Sequence, residues 1–196
     1  MEQAAYFVAL LTVVTLPGAA AIWLVVHPFI RFWRRAGSAW TYLAAFGASA
    51  AVMAGIFMAR ETLLSVRFGV RTPLVVAAVL LYAAAVVLRV PIDRRIGLRV
   101  LLGIPEVSAA AGSRGLVTDG IYARLRHPRY VNVGLATLAM ALFSNNLAAY
   151  LTVVGYVPVI LLVTHFEERE LHERFGQAYE EYRARVPRFL PRFGRR

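Results

Sequence analysis

The sequence of 196 residues contains no cysteine and no lysine. Without cysteine the chain can form no disulfide, no zinc–thiolate site and no thiol nucleophile. Without lysine, all 22 basic residues are arginine, against 11 acidic residues. Histidine is also scarce: four histidines are too few for a histidine-rich di-iron oxidase, and the His-Glu-x-x-His metal motif does not occur. We therefore expect no metal site.

Charged residues are few as well. They make up 17% of the chain, whereas 59% of the residues are hydrophobic and the mean hydropathy is +0.60. Several uncharged windows approach or exceed the roughly 20 residues that cross a bilayer as a helix. No Gly-rich phosphate-binding strand–helix unit occurs, which argues against a soluble Rossmann-type fold. We therefore predict an all-α, polytopic membrane protein.

The apolar windows predict about five transmembrane helices, over residues 4–30, 38–59, 73–88, 131–143 and 147–166. Pro17-Gly18 is expected to kink the first span without preventing it from crossing. The third span is close to the lower length limit and is predicted to end at Arg89. The fourth is too short to cross alone, and only Ser144-Asn145-Asn146 separates it from the fifth. We interpret the last two spans as a tight helical hairpin whose first half is partly unwound or buried in protein.

Two parts of one integrated domain are expected. Residues 1–90 would form a three-span membrane scaffold, and residues 91–196 a catalytic part made of a loop, the hairpin and short C-terminal helices. The start of the loop mixes arginine with aliphatic residues, which favours a segment lying on the membrane surface. The helix of the fifth span should continue to Gly176 as its C-terminal cap, and a short amphipathic helix should follow and stop at Pro187.

The net charge of +11 makes nucleic acid a candidate partner. However, the arginines punctuate apolar spans, as expected for residues that anchor at anionic lipid headgroups. We therefore predict membrane lipids, and no nucleic acid, as partners. The positive-inside rule places the loop 91–129 and the tail after residue 167 in the cytoplasm, with the amino terminus outside. Arg60, Arg67 and Arg71 run against this rule, because they would lie outside.

A crowded polar stretch, 120–130, lies directly before the short fourth span. Its cations could form an ordinary solvated face, and the pair Glu167-Glu168 could mark a helix that emerges into water. In a short hairpin, however, Arg126 and His127 lie at the same membrane depth as the two glutamates. Charges held in the apolar layer tend to be paired and functional. Pro128 at the first helical position would also leave free backbone N–H groups facing the loop, a suitable site for a carboxylate or phosphate.

Two motifs occur at a characteristic spacing within residues 115–191. The first is Gly120-Ile121-Tyr122 with Arg126-His127-Pro128-Arg129-Tyr130, and the second is Glu167-Glu168 followed by Leu171, Phe175-Gly176, Tyr179, Tyr182 and Val186-Pro187. Together they resemble the isoprenylcysteine carboxyl methyltransferase family and the related phospholipid methyltransferases. The resemblance implies a membrane-embedded enzyme that takes S-adenosylmethionine from the cytosol and methylates a lipophilic acceptor reached from the bilayer.

The resemblance also implies roles for individual residues. The cofactor-binding residues would be Gly120, Tyr122, His127, Pro128, Tyr130 and Glu167, and the catalytic residues nearest the acceptor would be Arg126 and Glu168. A carboxylate can orient a nucleophile or accept a proton, and an arginine can hold a carboxylate or phosphate in a bidentate grip. Arg124 and Arg129 are expected to anchor at lipid headgroups, and His27 to lie at the membrane interface. The site would face the cytoplasm of a bacterial inner membrane.

The chain departs from the family pattern in two places. Asn132 stands where the family commonly has glycine, and Val163, Thr164 and His165 occupy a region where the isoprenylcysteine branch has an arginine. The acceptor is therefore left open between an isoprenylcysteine carboxylate and another lipid-like molecule. Two alternative functions are an NADPH-dependent reductase similar to the membrane sterol reductases, against which the shorter chain argues, and a non-catalytic scaffold whose charges only fix helix packing.

Overall fold

The computed structural model describes residues 1–95 and 115–191, and within these ranges the chain is almost entirely helical. The helices are α1 (Glu2–Val26), α2 (Ile30–Ala36), α3 (Ser38–Met58), α4 (Arg60–Leu63), α5 (Thr72–Arg95), α6 (Pro128–Ser144), α7 (Leu147–Phe175) and α8 (Gln177–Arg185), with 3-10 turns at His27–Phe29 and Gly120–Ala123. In the same ranges the β structure is limited to an isolated bridge between Arg67 and Asn146. The predicted all-α fold is confirmed.

Four helical segments in the described ranges are long and apolar enough to cross a membrane: Glu2–Ala36, Ser38–Met58, Thr72–Asp93 and Leu147–Phe175. We therefore describe the chain as an integral membrane protein. The fourth predicted span corresponds to α6, which has 17 residues and is a continuous helix rather than a partly unwound one. Several of its polar side chains are buried in protein, among them Asn132 and Thr137.

The predicted end of the third span at Arg89 is wrong, because α5 continues through Pro91 to Arg95. A proline inside a membrane helix is tolerated where neighbouring groups and local adjustments satisfy the backbone atoms that it frees. Across the helical turn that contains Pro91, Arg89 Nε donates a hydrogen bond of 2.9 Å to Asp93 Oδ2. Such an i,i+4 pair supports the helix. The predicted surface segment begins within α5, and its remainder, from residue 96 onwards, lies outside the described residues.

Helix α1 is the central helix of the bundle and contacts α3, α6 and α7, while α5 packs on α6. Small residues allow these close approaches. At Gly18, a Cβ atom would lie 2.5 Å from Met53 Cγ on α3, so any larger residue would require the Met53 side chain to shift. The buried residues Leu16, Tyr130, Tyr156, Ile160 and Val163 join α1, α6 and α7 in one hydrophobic cluster.

The predicted tight hairpin of α6 and α7 is confirmed, and asparagines form its bend. Asn145 has a left-handed backbone conformation with φ 44°, and Asn146 caps α7 by accepting a hydrogen bond from the Ala148 N–H. The Asn145 side chain donates to the Gly69 carbonyl at 2.7 Å and accepts from the Tyr150 hydroxyl at 2.9 Å. The bend is thus fastened to the loop that precedes α5.

Helix α7 extends well beyond the bilayer core. Its 29 residues span about 44 Å at the usual helical rise, whereas the hydrocarbon core is about 30 Å thick. The helix ends at Gly176 with φ 54°, and α8 follows, so the predicted cap and the predicted short helix are confirmed. Glu167 follows the apolar part of α7. The last turns of the helix, from Glu167 to Phe175, continue beyond that apolar part.

Candidate active site

His127 lies between two adjacent carboxylates. Its Nε2 atom is 3.0 Å from Glu168 Oε1, and its Nδ1 atom is 3.4 Å from Glu167 Oε2. The side chains of His127 and Glu168 are each 6% exposed. This arrangement follows from the local fold, because His127 is the residue immediately before Pro128 at the start of α6, and the two glutamates are neighbours on the packed helix α7. The structure therefore brings together the two motifs of the sequence.

The two carboxylates favour the doubly protonated form of His127. Burial alone would lower the pKa of His127, but its hydrogen bonds to Glu167 and Glu168 outweigh burial and raise that pKa above the ordinary value for imidazole. An imidazole with a carboxylate facing each ring nitrogen donates from both nitrogens. The surrounding carboxylates therefore favour the cationic form of His127 in this site.

Glu168 is surrounded by three cationic side chains. Besides His127, Arg188 forms a two-pronged contact, with Nε 2.9 Å from Oε1 and Nη2 2.5 Å from Oε2. Arg126 Nη1 is 2.8 Å from Oε1, at an angle that suits an ion pair and not a hydrogen bond. A carboxylate held in this way stays ionised and fixed in orientation.

Glu167 has a different set of neighbours, which come from the 3-10 turn after α1 and from α6. Arg129 Nη2 lies 3.3 Å from Oε1, and the Tyr130 hydroxyl donates a hydrogen bond to the same oxygen. The predicted role of Arg129 as a headgroup anchor is wrong, since its side chain is 18% exposed and faces Glu167. His27 Nε2 lies 3.4 Å from Oε1 as well.

His27 is one of two residues that the sequence interpretation missed. It is 5% exposed, and its side chain faces Glu167 inside the protein, a contact that the sequence does not indicate. The nearby ring of Trp23, also in the first helical segment, packs edge-on against Tyr130 with centroids 5.3 Å apart. Beyond them, Arg31 Nη2 on α2 is 2.8 Å from Glu173 Oε1 on α7. The first membrane segment thus contributes side chains to the cluster around the glutamate pair.

Arg188 is the second missed residue, and backbone hydrogen bonds hold it in place. The Arg126 N–H donates to the Pro187 carbonyl at 2.9 Å, and the His127 N–H donates to the Arg188 carbonyl at 3.1 Å. The Phe189 ring lies 5.9 Å from the His127 ring. The segment after α8 therefore runs directly alongside the start of α6.

Gly120 and Tyr122 belong to the 3-10 turn that precedes α6. Gly120 has φ 60°, a conformation that glycine adopts without strain. The Tyr122 carbonyl accepts a hydrogen bond of 2.8 Å from the Tyr182 hydroxyl, which ties the turn to α8. Burial raises the pKa of Tyr122 to about 12, so its hydroxyl keeps its proton at neutral pH.

Two buried donors at this end of the molecule have no acceptor among the described residues, namely Arg126 Nε and the Tyr122 hydroxyl. Arg126 Nη1 lies 2.8 Å from Glu168 Oε1 without a well-aligned hydrogen bond. Buried polar groups are normally satisfied, so these donors call for a ligand that supplies acceptors. The charges point the same way: the guanidinium groups of Arg126, Arg129 and Arg188 face two glutamates, which leaves a positive excess even before His127 is counted.

Asn132, the departure from the family pattern, has a structural role. Its side-chain N–H donates a hydrogen bond to the Ala85 carbonyl and so joins α6 to α5. The residue is 8% exposed. Its side chain is therefore committed to helix packing, where glycine would leave α5 and α6 without this bond.

Comparison with known proteins gives consistent similarities. Residues 73–178 match the family described as phospholipid methyltransferase. The chain is 38% identical to a protein-S-isoprenylcysteine O-methyltransferase from Schizosaccharomyces pombe over 78 residues, which are 39% of this chain and 33% of that protein. It is 40% identical to methanethiol S-methyltransferase 2 from Bradyrhizobium diazoefficiens over 81 residues, 40% of this chain and 30% of that protein. The matches thus span about a third of each curated relative. No solved structure matches significantly.

Proposed function

Because the chain belongs to the phospholipid methyltransferase family, we propose that it transfers a methyl group from S-adenosylmethionine to a lipophilic acceptor that reaches the site from the membrane. The observation that carries this proposal is the buried cluster of His127 with Glu167 and Glu168, at the end of the membrane-length part of α7. A site at the end of a membrane-length helix would be reached by a soluble cofactor from the aqueous side and by a membrane-dissolved acceptor from the bilayer. We place it on the cytoplasmic side of a bacterial inner membrane.

The donor set suits S-adenosylmethionine. The carboxylate and ribose oxygens of S-adenosylmethionine can accept hydrogen bonds from the unsatisfied buried donors of the protein. The ammonium group of the cofactor can pair with a glutamate carboxylate. We assign cofactor binding to Gly120, Tyr122, His127, Pro128, Tyr130 and Glu167. When bound, the cofactor supplies a methyl group on a positively charged sulfur. The surplus of positive charge in the cluster repels the positively charged sulfur and does not repel the neutral thioether product, so it favours transfer of the methyl group.

Arg126 and Glu168 are assigned to the acceptor side. In the transfer, a lone pair of the acceptor forms a bond to the methyl carbon as the carbon–sulfur bond breaks, and the bonding pair returns to sulfur. Such an in-line displacement depends mainly on positioning. Three cations stabilise the charged form of Glu168, so we infer that this carboxylate orients the acceptor more than it accepts a proton. Arg126 would hold an oxygen of the acceptor or the cofactor through its unsatisfied donors.

The first test is cofactor binding by the purified protein in detergent or nanodiscs. Calorimetry should show binding of S-adenosylhomocysteine and no binding of NADPH. Binding of NADPH alone would favour the reductase alternative, and binding of neither compound would favour a non-catalytic role. Both results would overturn the proposed function.

The second test addresses the acceptor. The names of the two relatives indicate two acceptor types, the carboxylate of an isoprenylcysteine and the thiol of methanethiol. Transfer of a radiolabelled methyl group from S-adenosylmethionine should be measured with an N-acetylated S-isoprenylcysteine and with methanethiol. We expect the lipophilic probe to be the better acceptor for this chain, and a clear preference for methanethiol would contradict the lipophilic assignment.

A further inference from the structure

Arg188 uses both of its available prongs on Glu168. Its Nε and Nη2 atoms lie 2.9 and 2.5 Å from the two different carboxylate oxygens. This parallel, two-bond geometry is the strongest form of guanidinium–carboxylate contact, and it fixes the rotation of the carboxylate as well as its position. Arg188 is not part of the segment that matches the family, residues 73–178.

The backbone around Arg188 makes this contact rigid. Two peptide hydrogen bonds, of 2.9 and 3.1 Å, join residues 187 and 188 to residues 126 and 127. The neighbouring residues Val186 and Phe189 pack against α8 and against the ring of His127. Arg188 therefore approaches Glu168 from a backbone segment that these hydrogen bonds hold beside the site.

This contact has a consequence for Arg126. Since Arg188 occupies both oxygens of Glu168, Arg126 contacts the carboxylate through Nη1 only, and its Nε atom is buried without a hydrogen bond among the described residues. Without Arg188, Glu168 would keep Arg126 and His127 as its cationic neighbours. Arg126 could then turn its own two-pronged edge onto the carboxylate and lose the Nε donor that it now has to spare.

We propose that Arg188 is a positioning residue of this site: its guanidinium fixes the carboxylate of Glu168 and thereby keeps the Nε donor of Arg126 free for an oxygen of the bound ligand. This role rests on the proposed methyl transfer. Arg188 acts through Glu168 and does not itself contact the reacting atoms. Charge alone is insufficient, because a lysine ammonium is a point charge that cannot cover both carboxylate oxygens in one plane.

The test compares Arg188→Gln, Arg188→Lys and Arg188→Ala in the full chain. Methyl transfer to the S-isoprenylcysteine probe should fall roughly 10- to 100-fold in Arg188→Gln, as expected when a group that orients a reacting residue is removed. The fall should lie mainly in kcat, with a smaller weakening of S-adenosylhomocysteine binding, and Arg188→Lys should recover part of it. Arg185→Gln is the matched control, since Arg185 is exposed on α8 and its side chain donates a hydrogen bond to the Glu181 carbonyl, one turn earlier on the same helix.

Chemical rescue separates positioning from a merely structural role. Arg188 is 30% exposed, so guanidinium ions at non-denaturing concentration can reach the space left in Arg188→Ala. They should restore part of its turnover, ammonium ions should restore less, and neither should help the double variant Arg188→Ala/Glu168→Gln. If Arg188→Ala does not fold, the turnover of Arg188→Lys is compared with the turnover of Arg185→Gln instead.

The outcomes distinguish this role from the proposed function. A wild-type protein that binds no S-adenosylhomocysteine overturns the proposed function, and the role of Arg188 with it. If the wild type binds and methylates, but Arg188→Gln and Arg188→Lys turn over at the wild-type rate, the role of Arg188 alone is overturned. An equal loss in both folded variants, without guanidinium rescue in Arg188→Ala, also overturns it.

Discussion

Glu168 carries the negative charge around which three cationic side chains gather. Glu168→Gln keeps the shape of the side chain but leaves Arg126, His127 and Arg188 facing an uncharged amide. We expect methyl transfer to fall at least about 100-fold, because the ligand-facing groups lose their common anchor. The radiolabelled transfer assay measures this loss in protein that elutes as a single folded species.

Glu181→Gln is the control for that substitution. Glu181 is exposed on α8 and accepts a hydrogen bond from Gln177 at 3.3 Å, away from the glutamate pair. Its removal should change turnover by less than about twofold, since isolated exposed polar contacts contribute little. Equal turnover in Glu168→Gln and Glu181→Gln would remove Glu168 from the site.

His127 should make the stability of the protein depend on pH. Its pKa is raised in the folded protein by the two carboxylates, so its contribution to stability is complete below the unfolded pKa of about 6.5 and is lost as pH rises through the folded value. We expect the melting temperature to fall on going from mildly acidic to mildly alkaline buffer. His127→Gln should flatten this dependence, and parallel curves for the two proteins would contradict the assignment.

Only those site residues that belong to local sequence motifs could be predicted from the sequence. Arg126, His127 and the glutamate pair could be predicted because each stands at the edge of an apolar run, where a charge is conspicuous. His27 and Arg188 could not, since their contacts with residues 140 and 20 positions away are set by helix packing and by the backbone pairing at 126–127. Arg129 was misassigned because its sequence neighbourhood does not show that Glu167 lies opposite.

At the scale of the elements, the bend between α6 and α7 depends on Asn145. Its left-handed backbone costs an alanine about 1 kcal/mol or more, and its side chain makes two hydrogen bonds, each contributing about 1 kcal/mol. Asn145→Gly should therefore lose only the hydrogen bonds, whereas Asn145→Ala should lose the hydrogen bonds and add the strain. We expect thermal unfolding in detergent to rank wild type above Asn145→Gly, and Asn145→Gly above Asn145→Ala. An alanine variant as stable as the glycine variant would contradict a strained bend.

The lengths of the elements were predicted less well than their existence. Hydropathy locates apolar windows, so it marks the middle of α5 but not its polar end, whereas the end of α7 could be predicted from Gly176. The end of α5 was placed too early because Arg89 and Pro91 look like a stop signal in sequence. The continuous form of α6 could not be chosen from sequence over an unwound one, since that choice depends on burial against α1, α5 and α7.

At the scale of the whole molecule, the orientation in the membrane stays a prediction that the absence of cysteine makes easy to test. A single cysteine at Ser65, in the loop before α5, and another at Ala184, on α8, both replace exposed residues. The positive-inside rule predicts that an impermeant maleimide labels Ser65→Cys in intact cells and Ala184→Cys only after permeabilisation. The reverse labelling pattern would invert the topology and move the glutamate pair to the outer face.

The pairing of residues 126–127 with residues 187–188 also sets the order in which the site can form during synthesis. Because translation runs from the amino terminus, α6 and α7 emerge from the ribosome before Arg188 does. The two-pronged contact on Glu168 can therefore form only after the residues that follow α8 have been made. The cluster is consequently completed later than the hairpin itself, so a chain that terminates after α7 would keep both glutamates but lack the guanidinium group that fixes Glu168.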